Sequence, residues 1–381
     1  MGDLAVARPV AQSERILALD VLRGFAIFGV LVAYCLWSLG MAPEESWSPL
    51  DKALGEILGF AVDGKFYTIL SFLFGLGFSI QLRRAPSDAS AVSLYSRRLA
   101  VLAGIGLAHA LLLRNGDILV PYALTGFLLI PFRRSSDRTL AAVAAVALLI
   151  AALAHVIWEA SGLPVPQRPQ LEDAPYLVEN AAWVGFWYKT AIFTWPINLT
   201  MFLLGLLAGR HGLVTRLQQR PRTLAAIAAA GLALGAFFYA ALKLSQSMQS
   251  PLSPAASSLL FTFHCWGLSS AYAAALLLIL RTATGASGLK ALAAVGRLAL
   301  TNYLSQATLI VPLCLLFGWF DRFTPTSGLA LALALFLIVQ LPFSILWLRH
   351  FQFGPAEWLW RSLTYRGSTR LKAGQNDPAT L

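Results

Sequence analysis

Long apolar stretches alternate along this chain with short polar clusters. A helix needs about 20 apolar residues to cross the hydrocarbon core of a bilayer. That period predicts membrane spans over 16–38, 62–82, 94–113, 117–132, 138–160, 187–209, 223–243, 256–280, 291–317 and 327–348. The fold expected is all-α: a polytopic membrane helix bundle of about ten transmembrane helices, forming a single domain over 1–366. The fourth span is short and contains Pro121, which predicts a bent or tilted crossing. The first loop, 39–61, mixes Pro43, Glu44, Glu45 and Trp47 with apolar residues and predicts an interfacial helix. The longest loop, 161–186, is proline-rich and predicts an irregular cap.

Composition agrees with the pattern. Of 381 residues, 57% are hydrophobic and 12% charged, where a soluble domain carries about 25% charged residues. The net charge of +11 does not indicate nucleic acid, because Lys and Arg sit in short clusters between apolar runs. The clusters Arg83–Arg84 with Arg97–Arg98, then Arg133, Arg134 and Arg138, then Arg210, Arg216, Arg220 and Arg222 all fall in alternate loops. Positive charge marks the cytoplasmic side, so both termini are expected there. The expected partners are the lipid bilayer and a small-molecule substrate. Arg8 and Arg15 precede the first apolar run, but that run is too long for a signal peptide and reads as a retained first span. The polar tail, 367–381, reads as disordered and cytoplasmic. Cys35, Cys265 and Cys314 lie in apolar runs with neither metal nor disulfide spacing, and no metal site is expected.

Polar residues inside the spans are the candidates for chemistry. Asp20 and Arg23, three apart in the first span, share a helix face and can pair. Each would cost about 2.5–3.5 kcal/mol at a helix centre, although their place near the cytoplasmic mouth relieves part of this. At the outer end, His109 precedes the tight link Arg114-Asn115-Gly116-Asp117, and Asp63 and Lys65 open the second span from the same side. Asn198 follows Trp195-Pro196, and His264 lies about two turns inside the eighth span. Asn302 and Gln306 share one face of the ninth span and suit interhelical bonding as well as ligand contact. Gly205-xxx-Gly209 and Gly231-xxx-Gly235 suit close helix packing. The runs Phe72-Leu-Phe-Gly75-Leu and Phe202-Leu-Leu-Gly205-Leu hint at an internal repeat.

Several motifs resemble one family. The opening Arg15-Ile-x-x-Leu19-Asp20-Val-Leu-Arg23-Gly24-Phe25-Ala26 is similar to the start of YeiB-like bacterial inner-membrane proteins. The likeness continues through Lys65-Phe66, Ser71-Phe-Leu-Phe-Gly75, Gly106-Leu-Ala-His109 and Gly116-Asp117-Ile-Leu. It resumes at Asn198-Leu-Thr-Met-Phe-Leu-Leu-Gly205 and Leu300-Thr-Asn302-Tyr-Leu-Ser-Gln306. It closes on Phe353-Gly-Pro355-Ala-Glu357-Trp358-Leu-Trp360-Arg361. The resemblance implies a multi-pass protein of the bacterial inner membrane, with about 190–366 similar to a domain of unknown function. This family is grouped with the acyltransferase-3 proteins and the heparan-alpha-glucosaminide N-acetyltransferases, which move an acyl group from cytoplasmic acyl-CoA to an acceptor across the membrane. The acyltransferase-3 proteins carry a histidine eleven residues after the first-span arginine; here that position is Tyr34. A phenol, with pKa about 10, is a poor base near neutrality, so the resemblance moves the catalytic role to His109.

Two readings stay open on the sequence. In acyl transfer, Arg23, Arg97 and Arg98 attract the donor's phosphates, and His109 takes the acceptor's proton with Asp117 or Asp63 orienting it. Asn302 and Gln306 face the developing oxyanion, and Lys65, Arg114, Asn198 and His264 line the substrate path. Acyl-CoA is then the co-substrate, and no tightly bound cofactor is implied. In the other reading the chain exports or transports a small polar or anionic solute, with Asp20–Arg23 as a gate and His109 as a relay.

Overall fold

The computed structural model describes residues 17–84, 87–113, 116–161, 175–248 and 252–365. The expected tail, 367–381, and Arg114 lie outside them. Among the described residues nine helical segments are long and apolar enough to cross a membrane, and no strand forms. The chain is a multi-pass membrane protein.

The helices are α1 (Leu17–Ala33), α2 (Pro49–Ala61), α3 (Lys65–Arg84), α4 (Asp88–Leu112), α5 (Leu119–Leu129), α6 (Asp137–Ala160), α7 (Tyr176–Lys189), α8 (Ala191–Arg210) and α9 (Leu213–Gln218). There follow α10 (Pro221–Ser247), α11 (Pro254–Ile279), α12 (Ala283–Gly288), α13 (Lys290–Arg297), α14 (Ala299–Phe317), α15 (Pro325–Ala334), α16 (Leu341–His350) and α17 (Pro355–Tyr365). Helix α1 packs on α13 and α3, α3 on α8, α6 on α8, and α10 on α11. The loop helix expected in 39–61 is α2, whose start is closed by a reciprocal cap between Ser48 and Asp51.

One end of the bundle is laced together by basic side chains. Arg133 meets Asp88, Arg210 meets Asp137 and the carbonyl of Ser135, and Arg83 donates to the carbonyl of Gly209. We call this the basic end. It also bears on why nine helical segments qualify among the described residues where the sequence predicts about ten crossings. Helix α5 has 11 residues and continues as a five-residue 3-10 turn, Ile130–Arg134. Together they rise about 26 Å, enough to bring Arg133 back beside Asp88 at the start of α4. The short element runs back along α4 to the basic end.

Two further expectations are corrected. The ninth span is not continuous: α13 ends at Arg297 and α14 starts at Ala299. The break follows a backbone-to-backbone approach, in which a Cβ on Gly296 would lie 1.8 Å from the carbonyl oxygen of Asp20 on α1. The new helix start is capped by Glu357, whose Oε1 accepts from the backbone N–H of Leu300 and Thr301 at 2.7 and 3.1 Å. The loop 161–186, expected to be irregular, carries helix over Tyr176–Lys189, starting directly after Pro175. Tyr176 Oη and Asn180 Nδ2 donate to the carbonyls of Leu113 and Leu111, which the end of α4 leaves open. The helix forms because it completes that end.

The two repeat-like runs pack on each other. A Cβ on Gly75 would lie 1.9 Å from the carbonyl oxygen of Phe202, and one on Gly205 would lie 2.0 Å from that of Phe72. The likeness of the runs therefore has a local cause: each glycine receives the other helix's backbone. Gly205→Val is expected to destabilise the bundle by about 3 kcal/mol, since neither backbone can yield to a side chain. Gly185→Val on α7, where nothing lies within 4 Å, is expected to stay within about 0.5 kcal/mol. Thermal unfolding in detergent measures both.

Candidate functional site

The α4–α5 hairpin builds a buried acid–base pair at the end opposite the basic one. Asp117 Oδ2 accepts from the backbone N–H of Leu119 and Val120 at 2.8 and 3.0 Å, closing the first turn of α5. Its Oδ1 accepts from His109 Nδ1 at 3.0 Å and from Tyr303 Oη at 3.0 Å. Both side chains of the pair are 2% exposed. Gly106 permits the approach, because a Cβ there would lie 2.8 Å from Asp117 Oδ2. A carboxylate can only accept, so the proton of this bond belongs to Nδ1, and in the neutral ring the lone pair lies on Nε2. Nε2 is buried and has no partner among the described residues.

A cavity of about 400 Å³ runs toward this pair from the basic end. Its mouth holds Asp20, Arg23, Arg98, Arg297, Glu357 and Arg361. Deeper, its walls are Leu70, Leu73, Phe74, Leu102, Ile118 and Tyr122, and Tyr303 is part of its lining. The Tyr303 ring lies 5.2 Å from that of His109, and its hydroxyl accepts from the backbone N–H of Ile118 at 3.1 Å. Tyr303 thus stands between the cavity and the histidine. A second space, about 30 Å³, touches Asp117 and is walled by Leu107, Pro121, Val184, Trp187 and Trp195.

The mouth is built by the last helix. Trp360 Nε1 donates to the carbonyl of Arg98 at 2.8 Å, and the Arg98 guanidinium lies 4.5 Å from the Trp360 ring centre. Arg361 lies 4.3 Å from the ring centre of Phe353. Burial pushes the Glu357 carboxyl above the usual carboxylate range, opposed by its bonds from Thr301 and Leu300. Arg23 pairs with Asp20 at 3.1 Å.

The remaining predicted residues lie elsewhere. Asp63 does not orient the histidine; its Oδ1 accepts from Trp37 Nε1 at 2.6 Å. Lys65 is fully buried and donates to the carbonyl of Gly59 at 2.9 Å. Arg97 donates to the carbonyl of Thr364, and Asn198 to Tyr67 Oη. His264 bonds the carbonyl of Gly235 between α11 and α10. Asn302 Nδ2 bonds the carbonyl of Val295 and Ser344 Oγ, while Gln306 Nε2 bonds the carbonyl of Ile27. Those amide groups bond neighbouring backbone and side chains, and neither residue lines the cavity, so an oxyanion role for them has no geometric support. Sequence reasoning passed over Tyr303, Gln81, Glu357, Trp360 and Arg361. The last three sit in the closing run that carried the resemblance, which was the available signal.

The family described as "Protein of unknown function (DUF418)" matches residues 208–367. An uncharacterized protein, YxaH, of Bacillus subtilis (strain 168) is 30% identical over 397 residues, covering 94% of this chain and 96% of its own. An uncharacterized 39.9 kDa protein in the amylase 3' region of Bacillus acidopullulyticus is also 30% identical, with 94% and 96% covered. An uncharacterized protein, YeiB, of Escherichia coli (strain K12) is 28% identical, with 93% and 97% covered. No solved structure matches the chain.

Proposed function

The chain belongs to the YeiB-like family that carries the DUF418 domain, and from its site we propose that it is a membrane-embedded acyltransferase of the bacterial inner membrane. It moves an acyl group from a cytoplasmic acyl-CoA-type donor to a hydroxyl or amine acceptor on the extracytoplasmic side. The observation that carries the reading is the unpartnered Nε2 of His109, oriented by Asp117 and standing behind the wall of a cavity that opens among arginines. The basic end faces the cytoplasm, as the positive-inside rule directs.

The donor's phosphates meet Arg23, Arg98, Arg297 and Arg361 at the mouth, and its thioester end reaches Tyr303. Movement of that one ring brings the carbonyl to His109. Nε2 takes the acceptor's proton as the acceptor bonds the carbonyl carbon; the carbon–sulfur bond breaks, and the thiolate leaves with that proton. Asp117 keeps Nδ1 protonated and balances the imidazolium. The small space that touches Asp117 admits a group of about the size of a water, which suits a hydroxyl or amine.

That same pair of spaces, one lined by Tyr303 and the other by Asp117, also suits a transporter exposing a site alternately. Binding separates the readings. Saturating acetyl-CoA is expected to raise the melting temperature of the purified protein, since ligand at 100 times its Kd adds about 2.7 kcal/mol. Arg23→Ala is expected to weaken the shift. No shift with any acyl-CoA, together with solute flux in proteoliposomes lacking a donor, would replace the enzyme by the transporter.

A further inference from the structure

Just inside the arginine mouth, Gln81 lines the cavity on the face of α3 that also carries Gly77, four residues earlier. Its Oε1 accepts from Arg98 Nη1 at 3.1 Å. A guanidinium only donates, so this contact fixes which way the amide lies and turns Nε2 away from Arg98. That Nε2 is buried and has no partner among the described residues. Arg98 is itself held by Trp360, through the ring contact and through the bond to its own carbonyl. The unmet donor is therefore oriented by a rigid neighbour. A buried amide N–H without an acceptor destabilises the empty site, and a ligand oxygen that meets it gains what the empty site lacks.

We infer that Gln81 is the residue that selects the donor's arm: its Nε2 binds a carbonyl oxygen carried between the donor's anionic head and its acyl end. The inference rests on the acyl-donor reading above and narrows it. A donor bearing its acyl group on an amide-containing arm satisfies both the arginines and Gln81. An acyl phosphate, whose acyl carbon is joined directly to the phosphate, brings no arm carbonyl past the mouth. The cavity then discriminates by one hydrogen bond on top of a charge attraction that any phosphate ester shares.

The test compares two probes on the purified full chain by calorimetry. Acetyl-CoA carries head and arm; adenosine 3′,5′-bisphosphate carries the head's nucleoside with two of its three phosphates, and no arm. Gln81→Met, close in size but without the donor, is expected to weaken acetyl-CoA about tenfold and the bisphosphate by less than about twofold. Gln81→Glu keeps an acceptor for Arg98 and removes the N–H, and is expected to lose the same preference for acetyl-CoA over the bisphosphate. If both variants hold acetyl-CoA as the unmodified protein does, the inference falls and the donor reading stands. An equal loss for both probes assigns the effect to a displaced Arg98 and also overturns it. If the unmodified protein binds the bisphosphate and not acetyl-CoA, the inference and the donor reading fall together.

Discussion

Replacing His109 with alanine is expected to lower acyl transfer by about 10³-fold while acetyl-CoA binding stays within about twofold. General base catalysis is worth roughly 10²- to 10⁴-fold, and the Asp117 carboxylate beside His109 is already occupied by bonds from His109, Tyr303, Leu119 and Val120. Tyr34, at the position where the acyltransferase-3 proteins carry a histidine, is buried in α1's continuation. Binding is spared because His109 does not line the cavity. Asp117→Asn should act on the same step for a different reason. Its side-chain oxygen can still cap α5 at Leu119 and Val120, but its amide would donate toward His109. Nδ1 must then accept, the ring proton moves to Nε2, and the base is lost. A fall of about 10²-fold or more with little loss of stability is the expected outcome. Asp117→Ala would remove the cap as well, at a cost of about 1 kcal/mol. Turnover and melting temperature, measured together on the three variants, separate these effects.

Filling the cavity from its wall is expected to have an effect of similar size on binding. Gly77 lines the cavity, and a Cβ built there meets nothing within 4 Å. Gly104 on α4 is equally free of neighbours but does not line the cavity. Phenylalanine is a better helix former than glycine, so neither Gly77→Phe nor Gly104→Phe should unfold its helix. Gly77→Phe puts a ring where the donor's arm would lie and is expected to weaken acetyl-CoA by on the order of 100-fold, the scale of forcing an extra side chain into filled space. Gly104→Phe is expected to leave binding within about twofold. Equal affinities in both variants would place the donor outside this cavity.

What the sequence shows of this molecule is set by how local each cause is. The apolar periods report the crossings because burial in lipid acts on every residue of a span. Length and Pro121 marked the fourth element as short and bent, but only its contact, Arg133 on Asp88, reveals that it reaches the basic end. The break at Leu298 came from a partner helix, with Gly296 pressed on Asp20 far away in the chain. The His109–Asp117 pair was legible, being eight residues apart across one tight link. Tyr303, 186 residues from Asp117, was not: within its apolar run it looks like any aromatic of a membrane helix. Asn302 and Gln306 were visible as polar residues on one face, yet the side chain's type does not say whether its partner is a ligand or a carbonyl. Here the partners are Val295 and Ile27. Glu357 stood in plain sight in an aromatic run, and its purpose depended on a helix start that no local signal announced.

The central claim is that an acyl group passes from a donor at the basic end to an acceptor beyond His109. Inside-out membrane vesicles from bacteria expressing the chain bring the cytoplasmic side outward and retain native acceptors. Supplied with acetyl-CoA radiolabelled in its acetyl group, vesicles carrying the unmodified protein are expected to accumulate label in a product other than acetyl-CoA, and vesicles carrying His109→Ala only background. Equal label in both, or none in either despite folded protein, would contradict the account.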